Sequence, residues 1–219
     1  MIHSTSIKKT IFGNDVTAIL TTIWDNDIAQ RVSIDGGTLL HLSAMTGNVE
    51  ISRHILNIYP NAIYVMATDN RPAVFDTVYC NNNLNIEVFN LLYTDRTVNH
   101  SDSYGKTMLH MIANNNNLDI CFFKLVLDKM KPEFINAITR DSETALHVAS
   151  QNDRIELCRL LLLKMNKESV IIKNYDNKTA YDMTSSPTIK LMIKTFVEGN
   201  SDDTILVTPY EEPNMCVLF

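Results

Sequence analysis

The sequence predicts an all-α fold in which short helix–turn–helix units stack on one another. Three observations support this prediction: one motif recurs along the chain, its copies are almost evenly spaced, and an apolar stripe at helical spacing follows each copy. The composition agrees, because 45% hydrophobic and 20% charged residues are ordinary values for a folded globular protein. With 219 residues, the chain can form one well-filled domain or two very small ones.

The recurring motif places a threonine three residues before a histidine. This pair occurs as Thr38 with His41, Thr107 with His110, and Thr144 with His147. Weaker copies begin at Asp69 and Asp176. The equivalent positions are Thr38, Pro72, Thr107, Thr144 and Thr179, and the steps between them are 34, 35, 37 and 35 residues. Five copies at four near-equal steps, with the same apolar pattern behind each copy, indicate a repeat architecture.

Each copy has the features of a tight turn followed by two short helices. Asp, Gly or Asn before the threonine suits a tight turn, and the threonine can accept a backbone N–H at the start of the first helix. In the fourth copy, Leu146 and Ala149 recur at helical spacing, and Ile155, Leu157 and Leu161 form the stripe of the second helix. Neither helix can bury its stripe alone, so neighbouring copies must stack.

These copies resemble the ankyrin repeat, which opens with Asp-Gly-x-Thr-Pro-Leu-His-x-Ala. The resemblance covers about residues 12–196. It implies an ankyrin-repeat solenoid of helix–turn–helix units with short hairpin turns, with four to five repeats plus an N-terminal cap. The expected organisation is an N-terminal capping repeat at 1–34, ankyrin repeats at 35–197, and a flexible acidic tail at 198–219.

All the copies depart from the ankyrin pattern, and the second and the last copies differ from the others. Proline follows the threonine in none of them, and the second copy reads Arg71-Pro72-Ala73-Val74-Phe75, so we expect this repeat to be distorted. The last copy resembles the variant found in closing repeats. Its final helix is expected to begin at Pro187, because proline is favoured in the first helical turn.

The histidines have a structural interpretation. By resemblance, His41, His110 and His147 occupy the family's own histidine position, where the imidazole ties neighbouring turns together. The sequence contains no HExxH, phosphate loop or GxSxG, and no pattern that supplies a nucleophile with a base. We therefore predict that the protein is not an enzyme and needs no cofactor or metal.

The cysteines show no CxxC spacing and no clustering with histidine. Reduced thiols in a cytosolic chain are the expectation from this pattern. Cys121 and Cys158 fall at equivalent places in two copies, where we expect them to pack as small apolar side chains.

Ankyrin proteins bind partners through the turns and the exposed face of the first helices. By alignment, the turn positions are Asp35, Asn70, Asp102, Tyr104, Arg140 and Tyr175. The first-helix positions are Met45, Thr46, Tyr79, Asn114, Asn115, Gln151 and Asn152. Among these, Tyr79, Tyr104 and Met45 are favoured, since aromatic and Met side chains are enriched at interfaces. The net charge of -6 argues against nucleic acid as a partner. The resemblance to ankyrin repeats implies a protein partner, and we expect the protein to be a monomer.

The final residues, Cys216-Val217-Leu218-Phe219, match the prenylation signal, and a terminal Phe favours geranylgeranyl. This predicts encounters with a prenyltransferase and a membrane through Cys216. Against a strong anchor, acidic residues such as Asp202 and Glu212 lie nearby, and one lipid chain alone gives only reversible binding.

An ankyrin stack with such a tail resembles the host-directed effectors of intracellular bacteria that use the host's prenyltransferases. This resemblance implies secretion into the host cell, with residence in the host cytoplasm or on the cytosolic face of host membranes. Ankyrin proteins of poxviruses, which counter host defence, offer the alternative. On that interpretation the protein is a soluble inhibitor that masks a cytosolic or nuclear host protein, and the terminal motif is accidental.

Overall fold

The computed structural model describes residues 36–79 and 84–199. Within these ranges the regular structure is helical, apart from one isolated bridge between Met66 and Pro72. The all-α prediction is therefore confirmed. The chain divides into two compact parts, Met1–Met111 and Ile112–Phe219, which we call the N-terminal and C-terminal parts.

The described helices of the N-terminal part alternate between longer and very short elements. They are α1 (Leu39–Thr46), α2 (Val49–Ile58), a 3-10 helix (Pro60–Tyr64), a second 3-10 helix (Ala73–Tyr79), α3 (Leu84–Leu92) and α4 (Asp95–Val98). Helix α5 (Met108–Asn114) crosses the division between the parts.

The C-terminal part continues the same alternation. Its helices are α6 (Ile120–Lys129), α7 (Pro132–Ile135), α8 (Ala145–Gln151), α9 (Ile155–Leu162), α10 (Lys167–Val170), α11 (Ala180–Met183) and α12 (Pro187–Glu198). Helix α12 begins at Pro187, where the sequence predicted the last helix to begin.

A short third helix, which the repeat pattern did not indicate, follows the second helix in each of the first four described repeats. Its causes are local. Pro60 and Pro132 occupy the first turn of two of these helices, where proline is favoured. The other two are capped by side chains: Thr94 Oγ1 accepts the Thr97 N–H at 3.0 Å, and the Asn166 amide oxygen accepts the Ser169 N–H at 2.8 Å.

The turns before the first helices share one left-handed residue each. These residues are Gly36, Asn70, Gly105, Ser142 and Asn177, with φ between 59° and 77°. They recur with the same steps as the threonine positions, so the structure repeats in the register that the sequence predicted. Glycine and asparagine tolerate this conformation best. At Gly36 the restriction is double, because a Cβ atom there would also clash with the Thr68 side chain.

The core lies between the stacked hairpins of each part. In the N-terminal part, α1 and α2 pack against the 3-10 helix 73–79 and α3. The fully buried side chains include Leu40, Ile51, Ile55, Phe75 and Phe89 in the N-terminal part, and Phe122, Phe123, Leu146, Leu161 and Ile189 in the C-terminal part. Each such side chain stabilises the fold by roughly 1.5–3 kcal/mol relative to exposure.

The Thr–His pairs form the arrangement that we call the histidine relay. In the fourth repeat, the Thr144 N–H donates to His147 Nδ1 at 3.1 Å, and the Thr144 hydroxyl lies 2.9 Å from the same atom. Because Nδ1 accepts, the ring proton must be on Nε2, which donates to the Ile172 carbonyl of the next turn at 3.1 Å. The predicted role of the histidines, tying neighbouring turns together, is confirmed here.

The first repeat has the same relay, and the third repeat has its first half, the cap on the first helix. His41 Nδ1 accepts the Thr38 N–H at 3.1 Å, and His41 Nε2 lies 3.0 Å from the Arg71 carbonyl oxygen. His110 Nδ1 accepts the Thr107 N–H, also at 3.1 Å. All three rings are almost completely buried, and because each Nδ1 accepts a backbone N–H, the hydrogen bonds assign the tautomer with the proton on Nε2.

The second repeat cannot form the relay, and its first helix is a 3-10 helix. Pro72 has no N–H to donate, and Phe75 offers no acceptor. Instead the guanidinium of Arg71 lies 2.9 Å from Asp69 Oδ2 and 3.0 Å from Asp76 Oδ1, with all three side chains mostly buried. This replacement is the distortion expected from the sequence.

In place of the missing relay, a histidine from the following turn bonds back to the turn of the second repeat. His100 Nε2 donates to the Asn70 carbonyl oxygen at 2.7 Å, and its ring packs edge-on against Phe75 with centroids 6.4 Å apart. The link between these two turns is therefore retained, although the imidazole reaches backward along the chain instead of forward.

The closing repeat replaces the histidine with Asp182. Its Oδ2 accepts the Thr179 N–H at 2.9 Å and the Thr179 hydroxyl at 2.7 Å, and these bonds, helped by nearby Lys173 and Lys190, lower the pKa of Asp182. A carboxylate completes the helix cap but has no proton to donate to a further turn. Asp182 therefore suits the last repeat of a stack.

Two residues at the start of α9 connect the repeats of the C-terminal part. The Asp153 carboxylate accepts from the hydroxyls of Thr184 and Ser185 and from the Ser186 N–H, and the two hydroxyl bonds lower the pKa of Asp153. Arg154 reaches the other way and donates to the Asn115 carbonyl oxygen at 2.7 Å. The α8–α9 turn is thus bonded to the repeat on either side.

The described cysteines differ from each other. Cys158 is free and buried, as expected, and burial raises the pKa of its thiol to about 12, which makes it unreactive. Cys121 is disulfide-bonded, so the expectation of reduced thiols is wrong at this position. That expectation rested on sequence spacing, whereas disulfide formation depends on distances that only the fold determines.

Stability is expected to decrease as the pH falls from about 7.5 to about 5.5, because His147 resists protonation in the folded state. Burial lowers the pKa of His147 below its usual value of 6.5. The unfolded chain therefore binds a proton at His147 more readily than the folded chain does. The contribution of neutral His147 to the free energy of unfolding is thus complete above pH 6.5 and is lost progressively below it. Urea unfolding midpoints at several pH values measure the effect.

The His147→Gln variant is the matched control. Glutamine retains an amide acceptor near Thr144 but does not titrate, so the midpoint should depend less on pH although the protein is less stable at every pH. Asp153 and Asp182 do not interfere, since their pKa values are lowered from 3.8 and lie below this window. An unchanged pH dependence in the variant would contradict the assignment.

Candidate partner-binding site

The turns are held rigid by a side-chain acceptor at their first residue. Asp102 Oδ1 accepts the N–H groups of Tyr104 and Lys106, both at 2.8 Å. In the closing repeat, Asn174 Oδ1 does the same for Asp176 and Lys178, at 3.1 and 3.0 Å. This local bonding is the Asx turn that favours Asp and Asn at such positions.

Backbone hydrogen bonds join neighbouring turns within each part. The Ser103 N–H donates to the Asp69 carbonyl oxygen at 2.7 Å in the N-terminal part, and the Tyr175 N–H donates to the Asp141 carbonyl oxygen at 3.0 Å in the C-terminal part. The turns of each part therefore form a continuous edge. Two tyrosines stand out on these edges, since Tyr104 is 54% exposed and Tyr175 is 84% exposed.

The predicted binding residues fall into three groups. The exposed ones are Asn70, Tyr104, Asn114, Arg140, Gln151 and Tyr175. The half-buried ones are Met45, Thr46, Asp102, Asn115 and Asn152. Asp35 and Cys216 lie outside the described residues, as does the side chain of Tyr79 at the end of the 3-10 helix 73–79.

Several of the polar candidates already serve the fold. The Thr46 hydroxyl donates to the Leu42 carbonyl oxygen at 3.1 Å. The Asn152 amide donates to the carbonyl oxygens of Ala113 and Val148, at 3.2 and 3.0 Å, and so ties α8 to the end of α5. Asp102 is committed to its own turn. These side chains form part of the surface, but much of their hydrogen-bonding capacity is used within the fold and less is left for a partner.

Sequence reasoning missed residues that support or extend this surface. His100 and Arg154 belong to no recognised motif, and their partners lie 30 and 39 residues away along the chain. Ile138, just before the turn that contains Arg140, is a large apolar residue left exposed. The equivalent position of the next repeat, 35 residues later, is Lys173. A lysine at that position is the signal that could have identified position 138 as part of the surface.

The arrangement is suited to recognition by contact. A tyrosine on a rigid turn offers a large apolar ring and a hydroxyl group while losing little conformational entropy on binding. Within the described ranges, no group of three His, Cys, Asp or Glu side chains could hold a metal ion. None of the helices in that part of the chain is long and apolar enough to cross a lipid bilayer.

Comparison with known proteins agrees with this geometry. Residues 77–174 match the family model for ankyrin repeats, in three copies. No match to a curated protein was found. The matched segment extends from the end of the distorted second repeat to the turn of the closing repeat, and it contains α3 to α10. The chain thus contains ankyrin repeats, which are a protein–protein interaction module.

Proposed function

We propose that the protein is a non-catalytic adaptor that binds a host protein through the turns and first helices of its ankyrin repeats. The observation that carries this proposal is the pair of exposed tyrosines, Tyr104 and Tyr175, on turns fixed by internal hydrogen bonds. Preorganised aromatic side chains are the features that most often supply binding energy at interfaces. Within the C-terminal part, Gln151 and Asn114, at the ends of two first helices, add exposed polar groups to those of Tyr175.

A more specific proposal is that the protein is a host-directed effector and that a prenyl group on Cys216 tethers it to host membranes. The Cys-aliphatic-aliphatic-Phe sequence supports it wherever Phe219 is the terminal residue. A single prenyl chain would give reversible membrane binding, so the adaptor would exchange between the host cytoplasm and the cytosolic face of the membrane.

The alternative is a soluble inhibitor that masks a cytosolic or nuclear host protein without any lipid. It uses the same tyrosine-bearing turns, so binding data alone do not separate it from the tethered adaptor. The modification state of Cys216 does.

A Tyr175→Ala/Gln151→Ala variant is expected to weaken partner capture from host-cell extract at least about tenfold, since truncating a hot-spot tyrosine to alanine costs about 2 kcal/mol or more. The measurement compares the protein bands retained by immobilised wild type and variant, followed by titration of the retained protein. The Leu163→Ala variant is the matched control, because Leu163 is an exposed apolar residue at the end of a second helix instead of a turn. Equal capture by all three proteins would contradict the proposed surface.

Asn152→Ala should behave differently from its neighbour Gln151→Ala. It removes two hydrogen bonds that hold α8 against the end of α5, so it should cost about 1–2 kcal/mol of stability. Gln151→Ala should leave the urea midpoint nearly unchanged. The reverse order of stabilities would show that the roles of these two residues have been misassigned.

Lipid on Cys216 is tested by the intact mass and membrane fractionation of protein expressed in mammalian cells, beside Cys216→Ser. The tethered adaptor predicts a prenyl mass increment and a membrane-bound fraction, both absent from the variant. An unmodified, wholly soluble wild type would leave the soluble inhibitor as the surviving proposal.

A further inference from the structure

One carboxylate attaches the segment between the last two described helices to the preceding repeat. We call residues 184–186, which join α11 to α12, the connecting segment. We propose that Ser186 is a phosphorylation site for a proline-directed serine kinase, and that a phosphate on Ser186 releases the connecting segment from Asp153. The proposal concerns regulation of the closing repeat, and it is independent of the partner and of any lipid.

The sequence at Ser186 has the feature that proline-directed kinases require, which is a serine or threonine followed directly by proline. Ser186-Pro187 is the one Ser-Pro pair in the sequence, and Thr208-Pro209 is the one Thr-Pro pair. Thr208 lies outside the described residues. Because a pair of residues is a short signal, the presentation of Ser186 by the fold decides whether a kinase can use it.

The fold presents the connecting segment in an extended and accessible form. Thr184 has φ −96° and ψ 144°, and Ser186 has φ −70° and ψ 118°, which are extended conformations of the kind that the substrate cleft of a kinase binds. Ser185 and Pro187 are exposed, and Ser186 is half-buried. The Ser186 hydroxyl accepts the Ile189 N–H at 3.4 Å, which is long for a hydrogen bond, so little is lost when this oxygen is engaged by a kinase.

Asp153 holds the connecting segment in place. Its carboxylate accepts from the hydroxyls of Thr184 and Ser185, at 2.5 and 2.7 Å, and from the Ser186 N–H at 3.3 Å. Within the described ranges, every hydrogen bond from the connecting segment to the preceding repeat ends on this carboxylate. A change that drives Asp153 away therefore removes all of these bonds together.

A phosphate on Ser186 is such a change. In the transfer, Ser186 Oγ forms a bond to the γ-phosphorus of ATP as the bond to ADP breaks, and the hydroxyl proton passes to the catalytic base of the kinase. The product carries a charge of about −1.5 to −2 at pH 7. Asp153 is also negative there, because the bonds from Thr184 and Ser185 lower its pKa. The Ser186 nitrogen lies only 3.3 Å from Asp153 Oδ1, so the two like charges repel each other at close range.

The same phosphate does not unfold α12. Ser186 is the N-cap of this 12-residue helix, and a negative group at a helix N-terminus is stabilising. Lys190, four residues later, adds a positive charge on the same side of the helix. Repulsion from Asp153 and attraction to the start of α12 act on different bonds, so phosphorylation releases the connecting segment and leaves the helix formed. Asp153 follows Gln151 by two residues, so the release occurs beside the surface at the end of α8.

Phosphorylation of the purified full chain by a mitogen-activated protein kinase with magnesium and ATP tests the site. Intact mass and fragment masses should show one phosphate on Ser186. Ser186→Ala should lose it, as should Pro187→Ala, which keeps the hydroxyl and removes the recognised proline. Thr208→Ala is the matched control and should keep the phosphate on Ser186. No transfer to Ser186, or equal transfer to Ser186 in wild type and Pro187→Ala, would overturn the proposal.

Hydrogen exchange of the phosphorylated and unphosphorylated full chain tests the release. The Ser185 and Ser186 amides should exchange about fivefold faster after phosphorylation, because their bonds to Asp153 are lost, while the amides of residues 190–198 should be unchanged. Asp153→Asn is the matched control, since asparagine also tolerates the left-handed φ of 50° at this position but carries no charge. Phosphorylation of that variant should not accelerate exchange. Equal acceleration in both proteins, or none in the wild type, would overturn the release from Asp153.

Discussion

In three of the five described repeats, a single neutral imidazole holds the start of the first helix, and in two of these it is also seen bonded to the backbone of the next turn. The two tasks need opposite chemistry, because the threonine N–H requires an acceptor and the next carbonyl requires a donor. Among the protonation states of histidine, only the neutral ring with its proton on Nε2 provides both. A buried N–H or carbonyl left without its partner would cost about 1–3 kcal/mol, so each relay has consequences beyond one hydrogen bond.

The repeats that lack the histidine show what the relay achieves. In the second repeat, the Arg71 ion pairs and the returning His100 keep the turns together, but the first helix becomes a 3-10 helix. In the closing repeat, Asp182 keeps the cap and omits the onward donor. Through both changes the left-handed residues keep their register. That register spaces the turns, and the turns carry the exposed tyrosines on which the proposed adaptor function rests.

The repeat register, the two main helices of each repeat and the structural role of the histidines were predictable from the sequence, because all three follow from a motif with a fixed period. The family match agrees with this fold class. The short third helices were missed, although Pro132 and Asn166 carry recognisable starting signals. The disulfide at Cys121 was missed because sequence spacing does not report distance in the fold.

The candidate surface was only partly predictable. Alignment placed Tyr104 and Tyr175 on turns, and the structure shows both exposed. Alignment could not separate Gln151, which is exposed, from Asn152, whose amide bonds to Ala113 some 39 residues earlier in the chain. The repeat period predicts which positions of neighbouring repeats lie close together. It does not predict which of their side chains form hydrogen bonds with each other. For the same reason the roles of His100 and Arg154 emerged only from the fold.

The most direct test of this account is the protonation state of His41 and His147, measured by nitrogen-15 NMR of the imidazole rings at neutral pH. The histidine relay predicts a neutral ring in both residues, with the proton on Nε2 and an unprotonated Nδ1. A proton on Nδ1, or a doubly protonated ring, would contradict the account, because the threonine N–H would then have no acceptor and the first helices would lose the cap that sets the turns in register.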